Sequence, residues 1–393
     1  MPLSIEEAQS LANSAVASLH RGDAAAARVA FARVVAEGAA DASVHLGLAY
    51  ACQALGEVAQ AHAAVDAALA GEPRNIRGLM LKAELAEDRG DDISAASFYR
   101  AVLKCAEPPT PQPPDLAPLV ARAQARTNHY AERFEATLRE QLAAEAAQSG
   151  PPSPRFTQSL DLLTGQKQLY LPAPRLYRFP ELPAVQFPER AAFPWLDKLE
   201  AATADIRREL LALMDDRSAF APYVQSDARR ASIKKGGMLD NPAWSACYLW
   251  KNGQRVEANM ARCPRTLEAL ADVPIVHIPG RSPSVLFSLL RPDTRIPPHH
   301  GYVNTRYIVH LPLIVPPGCA FRVGNETREW VEGKAWLFDD TIEHEAWNTS
   351  GLTRVILLFE VWRPEFTATE RAHVSALFQA IERQSGGVGE WSI

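Results

Sequence analysis

Residues 296–362 read IPPHHGYVNTRYIVHLPLIVPPGCAFRVGNETREWVEGKAWLFDDTIEHEAWNTSGLTRVILLFEVW, and this stretch decides the fold of the C-terminal half. Its apolar residues fall in short alternating runs, and each run is bounded by proline, glycine or asparagine. Alternation with a period of two predicts strands with one buried face, and such frequent turns are typical of a small antiparallel barrel or jelly roll. Polar side chains would then point into the mouth of that barrel.

Two histidines in this stretch predict a metal site. His299 and His344 lie 45 positions apart, so they cannot share a helical turn, but in an antiparallel roll they can meet from an early and a late strand. Two imidazoles that leave coordination positions open suit iron(II), and we predict that this pair binds it. The acidic ligand that usually follows the first histidine by two residues is missing, because that position is Gly301. Outside this pattern, His299 would be an ordinary turn histidine.

Length and composition limit the class of protein. A chain of 393 residues is expected to fold as two or three domains. The hydrophobic share of 47% and the charged share of 22% are ordinary for a globular chain. The net charge of −5 provides no overall basic surface, so we predict no nucleic-acid partner.

The cysteines and the apolar segments indicate the cellular compartment of the protein. The five cysteines are odd in number, widely spaced and form no CxxC pair, which argues against a disulfide framework and favours a reducing compartment. The first residues lack the cationic start and apolar stretch of a signal peptide, and no run of about 18 apolar residues could span a membrane. These features predict a cytoplasmic protein with no membrane partner.

The N-terminal 107 residues contain a 34-residue repeat that is marked by glycines. Five positions after each glycine comes an alanine, and nine positions after it comes a larger side chain. The three sets are Gly22, Ala27 and Phe31; Gly56, Ala61 and Val65; and Gly90, Ala95 and Tyr99. Glycine at the inter-helix turn, a small residue at the helix crossing and a bulky one in the groove are typical of tetratricopeptide repeats. A generic alanine-rich helical bundle is the alternative.

A solenoid of such repeats presents a concave surface that usually binds peptides or proteins. We therefore expect a peptide or protein partner, which could be the substrate of the C-terminal half. Self-association and a structural role are the other possibilities for this segment.

A proline-rich connector, PPTPQPP over residues 108–114, follows the repeats. Asp115 is expected to cap a long helix that ends near Gln148, with Pro118 in its first turn. The predicted domains are a helical repeat domain over residues 1–107, a linker with a spacer helix over 108–154, and a jelly-roll domain over 155–393.

The remaining elements are expected to surround the β-rich core. Phe193-Pro194-Trp195 leads into a predicted amphipathic helix that ends near Met214, and strands are predicted over residues 246–250 and 284–290. Thr266 is the expected N-cap of a short helix, and a capping box at residues 367–370 starts a C-terminal helix. The predicted fold class is α+β: an N-terminal α-helical tetratricopeptide-like solenoid followed by a double-stranded β-helix of the jelly-roll or cupin-like type.

Three segments carry a family resemblance. PHHGYVNTRYIVHLPL (298–313), GCAFRVGNETREWVEGKAWLFDDTIEHEAWN (318–348) and TRVILLFEVWRP (353–364) resemble the aspartyl/asparaginyl β-hydroxylases, a family of Fe(II)- and 2-oxoglutarate-dependent dioxygenases. The similarity covers roughly residues 155–365. Several members of that family also carry tetratricopeptide-type repeats upstream. The family holds its iron with two histidines and has glycine where the acid would be, as Gly301 is here.

The resemblance implies a role for five residues. His299 and His344 would be the iron ligands. Arg354, assisted by Ser288, would bind the distal carboxylate of 2-oxoglutarate, and His310 would lie beside its proximal carboxylate. A planar guanidinium suits a carboxylate because it makes two charge-assisted hydrogen bonds, which lysine cannot match.

One position departs from the family. The animal members have arginine where this chain has Ile308, so the family's substrate contacts do not carry over there, whereas its iron chemistry is unaffected. Arg306 is close in sequence but is expected to face the other way along the strand. Asp339 and Asp340 are expected to lie in a turn and to orient neighbouring groups.

The predicted function is hydroxylation of the β-carbon of an aspartyl or asparaginyl residue in a peptide or protein, with iron(II), 2-oxoglutarate and O2. Related enzymes that resemble this domain hydroxylate acyl chains of lipid A, so an acyl or free amino acid substrate is a second possibility. A tetratricopeptide scaffold with an inactive barrel, and a cupin-like metal enzyme without 2-oxoglutarate, are two further classes. The joint presence of His299, His344 and Arg354 favours the dioxygenase.

Overall fold

A computed structural model describes residues 4–107, 113–216, 218–226 and 237–385. Contacts divide the chain into two compact units, Met1–Thr164 and Gly165–Ile393. This division differs from the three predicted segments, 1–107, 108–154 and 155–393. The difference arises because the segment expected to act as a spacer packs against the repeats, where Leu116, Ala123 and Tyr130 join the core of the last helix pair.

The first unit is built from α-helices, as the repeat predicts. Ser4 caps the first of them: its hydroxyl accepts from the Glu7 backbone N–H at 3.2 Å, and the Glu7 carboxylate accepts from the Ser4 N–H at 2.8 Å. The helices are α1 (Ile5–His20), α2 (Ala24–Ala36), α3 (Ala42–Ala54), α4 (Val58–Gly71), α5 (Ile76–Asp88), α6 (Asp92–Ala106), α7 (Ala117–Ser149) and α8 (Pro154–Leu163).

The 34-residue period is confirmed as a packing repeat. Gly22, Gly56 and Gly90 end their turns with φ between +72° and +81°, a conformation that glycine adopts without strain. The three alanines of the repeat are fully buried, and the larger side chains that follow them are as well. Each unit therefore uses its small residue at the helix crossing and its bulky residue in the groove.

Helix α7 packs against the last helix pair of the repeat array. It is preceded by a short 3-10 turn (Pro114–Leu116), and Leu116 is its N-cap, so the prediction that Asp115 caps it is wrong. Asp115 instead forms an ion pair with Arg77 of α5. Although α7 is 33 residues long, no helix in the described ranges is long and apolar enough to cross a bilayer.

The second unit combines two sheets with five helices among its described residues. The helices are α9 (Leu196–Ala201), α10 (Thr203–Met214), α11 (Glu257–Met260), α12 (Pro264–Leu270) and α13 (Ala368–Ser385). The strands are β1 (Ala221–Pro222), β2 (Trp244–Lys251), β3 (Gln254–Arg255), β4 (Val285–Leu290), β5 (Thr294–His299), β6 (Arg306–Ile314), β7 (Cys319–Val323), β8 (Glu326–Glu329), β9 (Trp336–Phe338), β10 (His344–Asn348) and β11 (Arg354–Trp362).

All strand pairings in the two sheets are antiparallel. The larger sheet has the order β1-β2-β4-β11-β6-β9, with β3 paired to β2, and the smaller sheet has the order β5-β10-β7-β8. An antiparallel β domain that follows helical repeats in the sequence agrees with the predicted α+β class. The jelly-roll topology stays a prediction.

The central strands β6 and β11 are buried on both faces, and the side chains of each face pack into a different hydrophobic core. Tyr307 and Val309 of β6 pack with α9 and α10, whereas Ile308 between them belongs to the core that the two sheets enclose. The same alternation divides Leu357 from Leu358 on β11. This period of two aims one set of side chains between the sheets, where the candidate site lies.

Two local predictions about helices are wrong. The single helix predicted between Trp195 and Met214 is two helices, α9 and α10, which are separated at Ala202. Thr266 is not an N-cap, because α12 already begins at Pro264. The N-terminal N–H groups of α12 are satisfied by Glu209 of α10, whose carboxylate accepts from the Arg265 N–H at 2.7 Å and from the Thr266 N–H at 2.9 Å.

Replacement of Gly47 in α3 tests the packing of the repeats. A Cβ at Gly47 would lie 2.8 Å from Cε1 of Phe31 and closer still to its Cζ, and Phe31 is fully buried. Gly47→Ala is therefore expected to destabilise the first unit by about 1–3 kcal/mol, because an overpacked core must move side chains off their rotamers. Faster hydrogen–deuterium exchange in peptides from α2 and α3 is the measurement.

Gly71 of α4 is the matched control for this substitution. A Cβ there would lie 3.5 Å from Cβ of Ala42, which is ordinary van der Waals contact. Gly71→Ala is expected to be neutral or to stabilise by up to about 1 kcal/mol, since alanine loses less backbone entropy in a helix. Equal exchange rates in the two variants would contradict the proposed crossing of α2 and α3.

Candidate active site

The register of the smaller sheet places His299 opposite His344. His299 ends β5, His344 begins β10, and the two are partners in the antiparallel ladder. Opposite residues on adjacent strands project from the same face, so the two imidazoles meet with ring centroids 4.1 Å apart and planes inclined at 53°. The two histidines that the sequence singles out therefore lie side by side.

Each of these histidines is oriented by the backbone carbonyl two residues before it. Nδ1 of His299 lies 2.8 Å from the Pro297 oxygen, and Nδ1 of His344 lies 3.0 Å from the Ile342 oxygen. A carbonyl oxygen can only accept, so Nδ1 carries a hydrogen in both rings, and in the neutral form of each ring Nε2 has the lone pair. Hydrogen bonds of this kind commonly fix the tautomer and the orientation of metal-binding histidines.

The surroundings of His344 keep its ring neutral. The side chain is buried against the rings of Phe321 and Phe338. Burial, and then the neighbouring His299, hold the pKa of His344 well below its ordinary value. A neutral imidazole is the form that can bind a metal ion.

Arg354, the first residue of β11, is a buried cation beside this pair. It is 1% exposed; its Nη1 donates to the Ser288 carbonyl at 3.3 Å, and its guanidinium lies 4.7 Å from the centre of the Trp330 ring. Its Nε finds no acceptor among the described residues. Burial lowers the pKa of Arg354 to about 10, so the group still carries its charge near neutral pH.

Ser288 and His310 lie near Arg354 on neighbouring strands. The Ser288 hydroxyl accepts a hydrogen bond from Nε1 of Trp244 at 3.3 Å. His310 receives one at Nδ1 from Nε1 of Trp330, at 3.4 Å. Because an indole N–H only donates, Nδ1 of His310 is the acceptor nitrogen and Nε2–H remains as a donor. Burial, and then the charge of Arg354, keep the pKa of His310 well below its ordinary value, so the ring is neutral.

The space beside Gly301 is filled by a carboxylate from another part of the chain. A Cβ at Gly301 would lie 2.7 Å from Oδ1 of Asp340 and closer still to its Cγ and Oδ2. The two segments are tied together by a hydrogen bond from the Gly301 N–H to the Asp340 carbonyl at 2.6 Å. A side chain at position 301, including an acidic ligand, is therefore sterically excluded.

Asp340 belongs to a buried network of charges with Arg306 and Glu360. Nη2 of Arg306 lies 3.5 Å from Oδ2 of Asp340, and Nη1 of Arg306 pairs with Glu360. Burial, opposed by Arg306, raises the pKa of Asp340 to about 7. The expectation that Arg306 faces away from Ile308 is wrong, because residues two apart on a strand share a face and both lie on the inward side of β6.

One cavity of about 260 Å³ brings the predicted site residues together. His299, His344, Arg354, Ser288 and His310 all line it. The neighbouring His300 lines it as well, and so does Asp340, whereas Asp339 is bound within its turn to Thr341 and Arg363. Within the described ranges, no group of three or more His, Cys, Asp or Glu side chains could hold a metal ion.

Three cavity residues were not predicted as part of the site. Trp244 begins β2, and its indole N–H donates to the Ser288 hydroxyl. Tyr223 is buried and stacks on Trp244 with ring centroids 4.2 Å apart. Arg175 reaches the cavity from the segment between α8 and α9 and stacks over Tyr302. No motif marks Tyr223 or Arg175, because tertiary contacts alone bring them here.

Two family models match separate parts of the chain. Residues 200–364 match the family described as aspartyl/asparaginyl beta-hydroxylase, and residues 18–85 match the tetratricopeptide repeat. The first match contains every predicted site residue, and the second covers the first two of the three repeat sets.

Curated relatives match the C-terminal half. The human aspartyl/asparaginyl beta-hydroxylase is 34% identical over 175 residues, which are 44% of this chain and 21% of that protein. The ornithine lipid ester-linked acyl 2-hydroxylase of Rhizobium tropici is 33% identical over 181 residues, 45% of this chain and 60% of that protein. This chain thus spans less than two thirds of either relative.

Among solved structures, the Yersinia enterocolitica type III secretion translocator chaperone SycD matches at 18% identity and a TM-score of 0.31, over 34% of this chain and 89% of that one. Residues 200–364 of this chain are thus similar to the aspartyl/asparaginyl β-hydroxylase family, and residues 18–85 are similar to tetratricopeptide repeats.

Proposed function

We propose that this chain is an iron(II)- and 2-oxoglutarate-dependent dioxygenase that hydroxylates an unactivated C–H bond. The observation that supports the proposal is that Arg354 is a buried cation with no carboxylate partner among the described residues. Arg354 is almost fully buried, and no carboxylate of the described residues lies within ion-pair distance of it. Burying an unpaired charge costs several kcal/mol, so this position is suited to an anionic ligand that enters the cavity. A small dicarboxylate such as 2-oxoglutarate supplies that anion.

The histidine pair fits the metal that this chemistry needs. His299 and His344 would hold the ion through Nε2, since their Nδ1 hydrogens are directed to carbonyl oxygens. Two nitrogen ligands leave open positions for a chelating co-substrate and O2, as non-haem iron(II) oxygenases require. Iron bound there would supply O2 activation, which lets a substrate C–H bond, O2 and 2-oxoglutarate become an alcohol, succinate and CO2.

The remaining polar groups of the cavity suit the two carboxylates of the co-substrate. The Arg354 guanidinium can donate from Nε to the distal carboxylate, and the Ser288 hydroxyl lies on the strand beside it. Nε2–H of His310 can donate to a carboxylate because Trp330 fixes the opposite tautomer. A charge-assisted hydrogen bond is about twice as strong as a neutral one, so these donors would orient the co-substrate as well as bind it.

The relatives' names offer two classes of substrate. The human and mouse proteins are named for aspartyl and asparaginyl residues, which suggests hydroxylation of a β-carbon in a peptide or protein. The Rhizobium relative is named for an ester-linked acyl chain. For the repeats we propose a peptide or protein partner, because solenoids of this kind bind such ligands on their concave face.

Release of succinate tests the proposed reaction. The purified full chain, loaded with iron(II) under reducing conditions, is expected to convert 2-oxoglutarate slowly into succinate and CO2 even without substrate. The His299→Ala and His344→Ala variants provide the control, since each removes one metal ligand. A wild-type protein that neither binds nor converts 2-oxoglutarate would instead favour the scaffold with an inactive barrel.

The Arg354→Met variant distinguishes a role of Arg354 in co-substrate binding from a role in the stability of the fold. Methionine fills a similar volume without burying a charge, so the ligand-free variant is expected to be as stable as the wild type or more stable. Its affinity for 2-oxoglutarate is expected to fall by about 100-fold, because truncation removes one partner of a buried charge pair. Thermal unfolding with and without 2-oxoglutarate measures both effects, and metal titration checks that iron still binds.

The control for Arg354 is Arg328→Ala. Arg328 pairs with Glu326 on the surface, so its loss should leave the response to 2-oxoglutarate unchanged. Should Arg354→Met keep the wild-type response to 2-oxoglutarate, the co-substrate carboxylate would have to lie elsewhere.

Gly301→Ala tests the contact with Asp340. The new Cβ would overlap the Asp340 carboxylate, so the variant is expected to lose about 1–3 kcal/mol of stability, together with iron-dependent turnover. The double variant Gly301→Ala/Asp340→Ala should recover part of that stability, since the two changes share one space. Thermal unfolding of the four proteins in this cycle measures the coupling.

Gly351→Ala is the control for this cycle, because nothing lies within 4 Å of a Cβ there. Additive effects of the Gly301 and Asp340 substitutions would show that the carboxylate does not occupy the space beside position 301.

A further inference from the structure

The 34-residue phase of the repeats stops at α7. In each of the three repeats, the glycine lies in the turn between a first helix and the second helix that packs against it. The residue 34 positions after Gly90 is Gln124, and α7 continues through it without a turn. The N-terminal part of α7 packs against the preceding pair as the first helix of a fourth pair would. Among the described residues, no second helix turns back from α7 at this point.

A groove of about 440 Å³ lies between α6, α7 and the end of α8. Three large apolar side chains around it face solvent: Ile93 is 85% exposed, Leu163 68% and Phe134 52%. The last repeat of such an array normally presents a polar outer face. Clustered exposed apolar side chains indicate an interaction surface instead. The groove is lined by Ile93, Ala96 and Arg100 of α6, by Ala131 and Phe134 of α7, and by Leu163.

The preceding repeat shows which kind of element covers the equivalent position. Asp66 of α4 lies 34 residues before Arg100 of α6, so the two hold the same place in successive repeats. Asp66 pairs with Lys82 of α5, and Nζ of Lys82 lies 6.0 Å from the centre of the Phe98 ring on α6. Inside the array, this place is therefore covered by a helix that presents a large apolar side chain. The same kind of element suits the groove at the end of the array.

The end groove has more apolar surface than its counterparts in the earlier repeats. Ile93 holds the place that Ala59 and Ala25 hold one and two repeats before it. Isoleucine adds aliphatic surface there, and the side chain is solvated in the chain alone. Covering this surface is favourable because apolar area is removed from water.

The charges of the groove favour an acidic partner. Asp92 and Arg133 both line it, and they pair with each other at 3.0 Å. Arg100 forms no ion pair with a described residue, and it stands where the preceding repeat has the acid Asp66. The described part of the groove therefore has one uncompensated positive charge beside its apolar surface.

We propose that this groove binds an amphipathic helix of a partner protein, with large apolar side chains against Ile93 and Phe134 and an acidic side chain against Arg100. Helices dock in such grooves through apolar residues that recur every three or four positions. The apolar contacts supply most of the affinity, whereas an exposed ion pair contributes little and mainly selects the sign of the partner's charge. The inference goes beyond the proposed function, since it concerns the end of the repeat array and no step of the reaction.

Two designed peptides test this proposal on the full chain, without iron or 2-oxoglutarate. Both are dye-labelled helices of about 15 residues with Phe and Leu on one face, and a hydrocarbon crosslink on the other face keeps them helical. One peptide carries Glu beside the apolar face, and the other carries Lys at the same position. Fluorescence anisotropy is expected to show that the Glu peptide binds about fivefold more tightly than the Lys peptide.

Two exposed substitutions and one control locate the binding surface. Ile93→Ser is expected to weaken binding of the Glu peptide by about tenfold, because it removes most of the apolar contact. Arg100→Glu is expected to reverse the preference, so that the Lys peptide binds more tightly. Ile5→Ser is the matched control, since Ile5 of α1 is 89% exposed and does not line the groove. Its affinity for both peptides should equal that of the wild type, and thermal unfolding checks that all variants fold.

The outcomes either support the proposal or overturn it. Binding that prefers the Glu peptide, depends on Ile93 and changes its preference with Arg100→Glu supports it. The proposal is overturned when neither peptide binds, when both bind equally well, or when Ile93→Ser leaves the affinity unchanged. Self-association of the chain in sedimentation experiments, if Ile93→Ser abolishes it, would assign the groove to a second copy and so overturn the partner helix. Succinate formation remains a separate test of the proposed reaction.

Discussion

The candidate site depends on how β5 pairs with β10. Ala346 pairs with Ile296, but His344 pairs with His299, so β5 contains one extra residue at the Pro297–Pro298 pair. In a regular strand, Ile296 and His299 would face opposite sides of the sheet. The bulge brings both to the inner side, and prolines are tolerated there because an edge strand and a bulge need fewer N–H donors. The imidazoles of His299 and His344 therefore meet because of this one bulge in β5.

Two buried arginines differ in whether acidic side chains of the described residues balance their charge. Arg306 is balanced by Glu360 and Asp340, and burial, outweighed by these two acids, leaves its pKa raised. Among the described residues Arg354 has no acid beside it, and burial lowers its pKa to about 10. The charge of the first arginine is balanced within the folded chain, whereas under the proposed function the charge of the second would be compensated by an anion that enters the cavity. The proposal for Arg354 thus follows from its described surroundings and not from its residue type.

Sequence reasoning reached the repeat, the antiparallel core and the five residues that line the cavity, because each follows from a period or a motif. It failed where a contact between distant segments decides the structure. Glu209 caps α12 from another helix, so the local signal at Thr266 was misleading. Regular alternation from Ile296 would turn His300 inward in place of His299, and the bulge in β5 that instead brings His299 opposite His344 was not predicted from the sequence. No periodic pattern in the sequence predicts that Tyr223 or Arg175 lines the cavity.

The inward face of β6 combines polar and apolar side chains. Arg306, Ile308 and His310 share this face, while Tyr307 and Val309 between them pack with the helices on the other side. Arg306 pairs with the buried acids Glu360 and Asp340, whereas Ile308 and His310 line the cavity. Ile308 contributes only hydrocarbon surface, so a change at position 308 alters the cavity wall without removing a hydrogen bond or an ion pair from the scaffold.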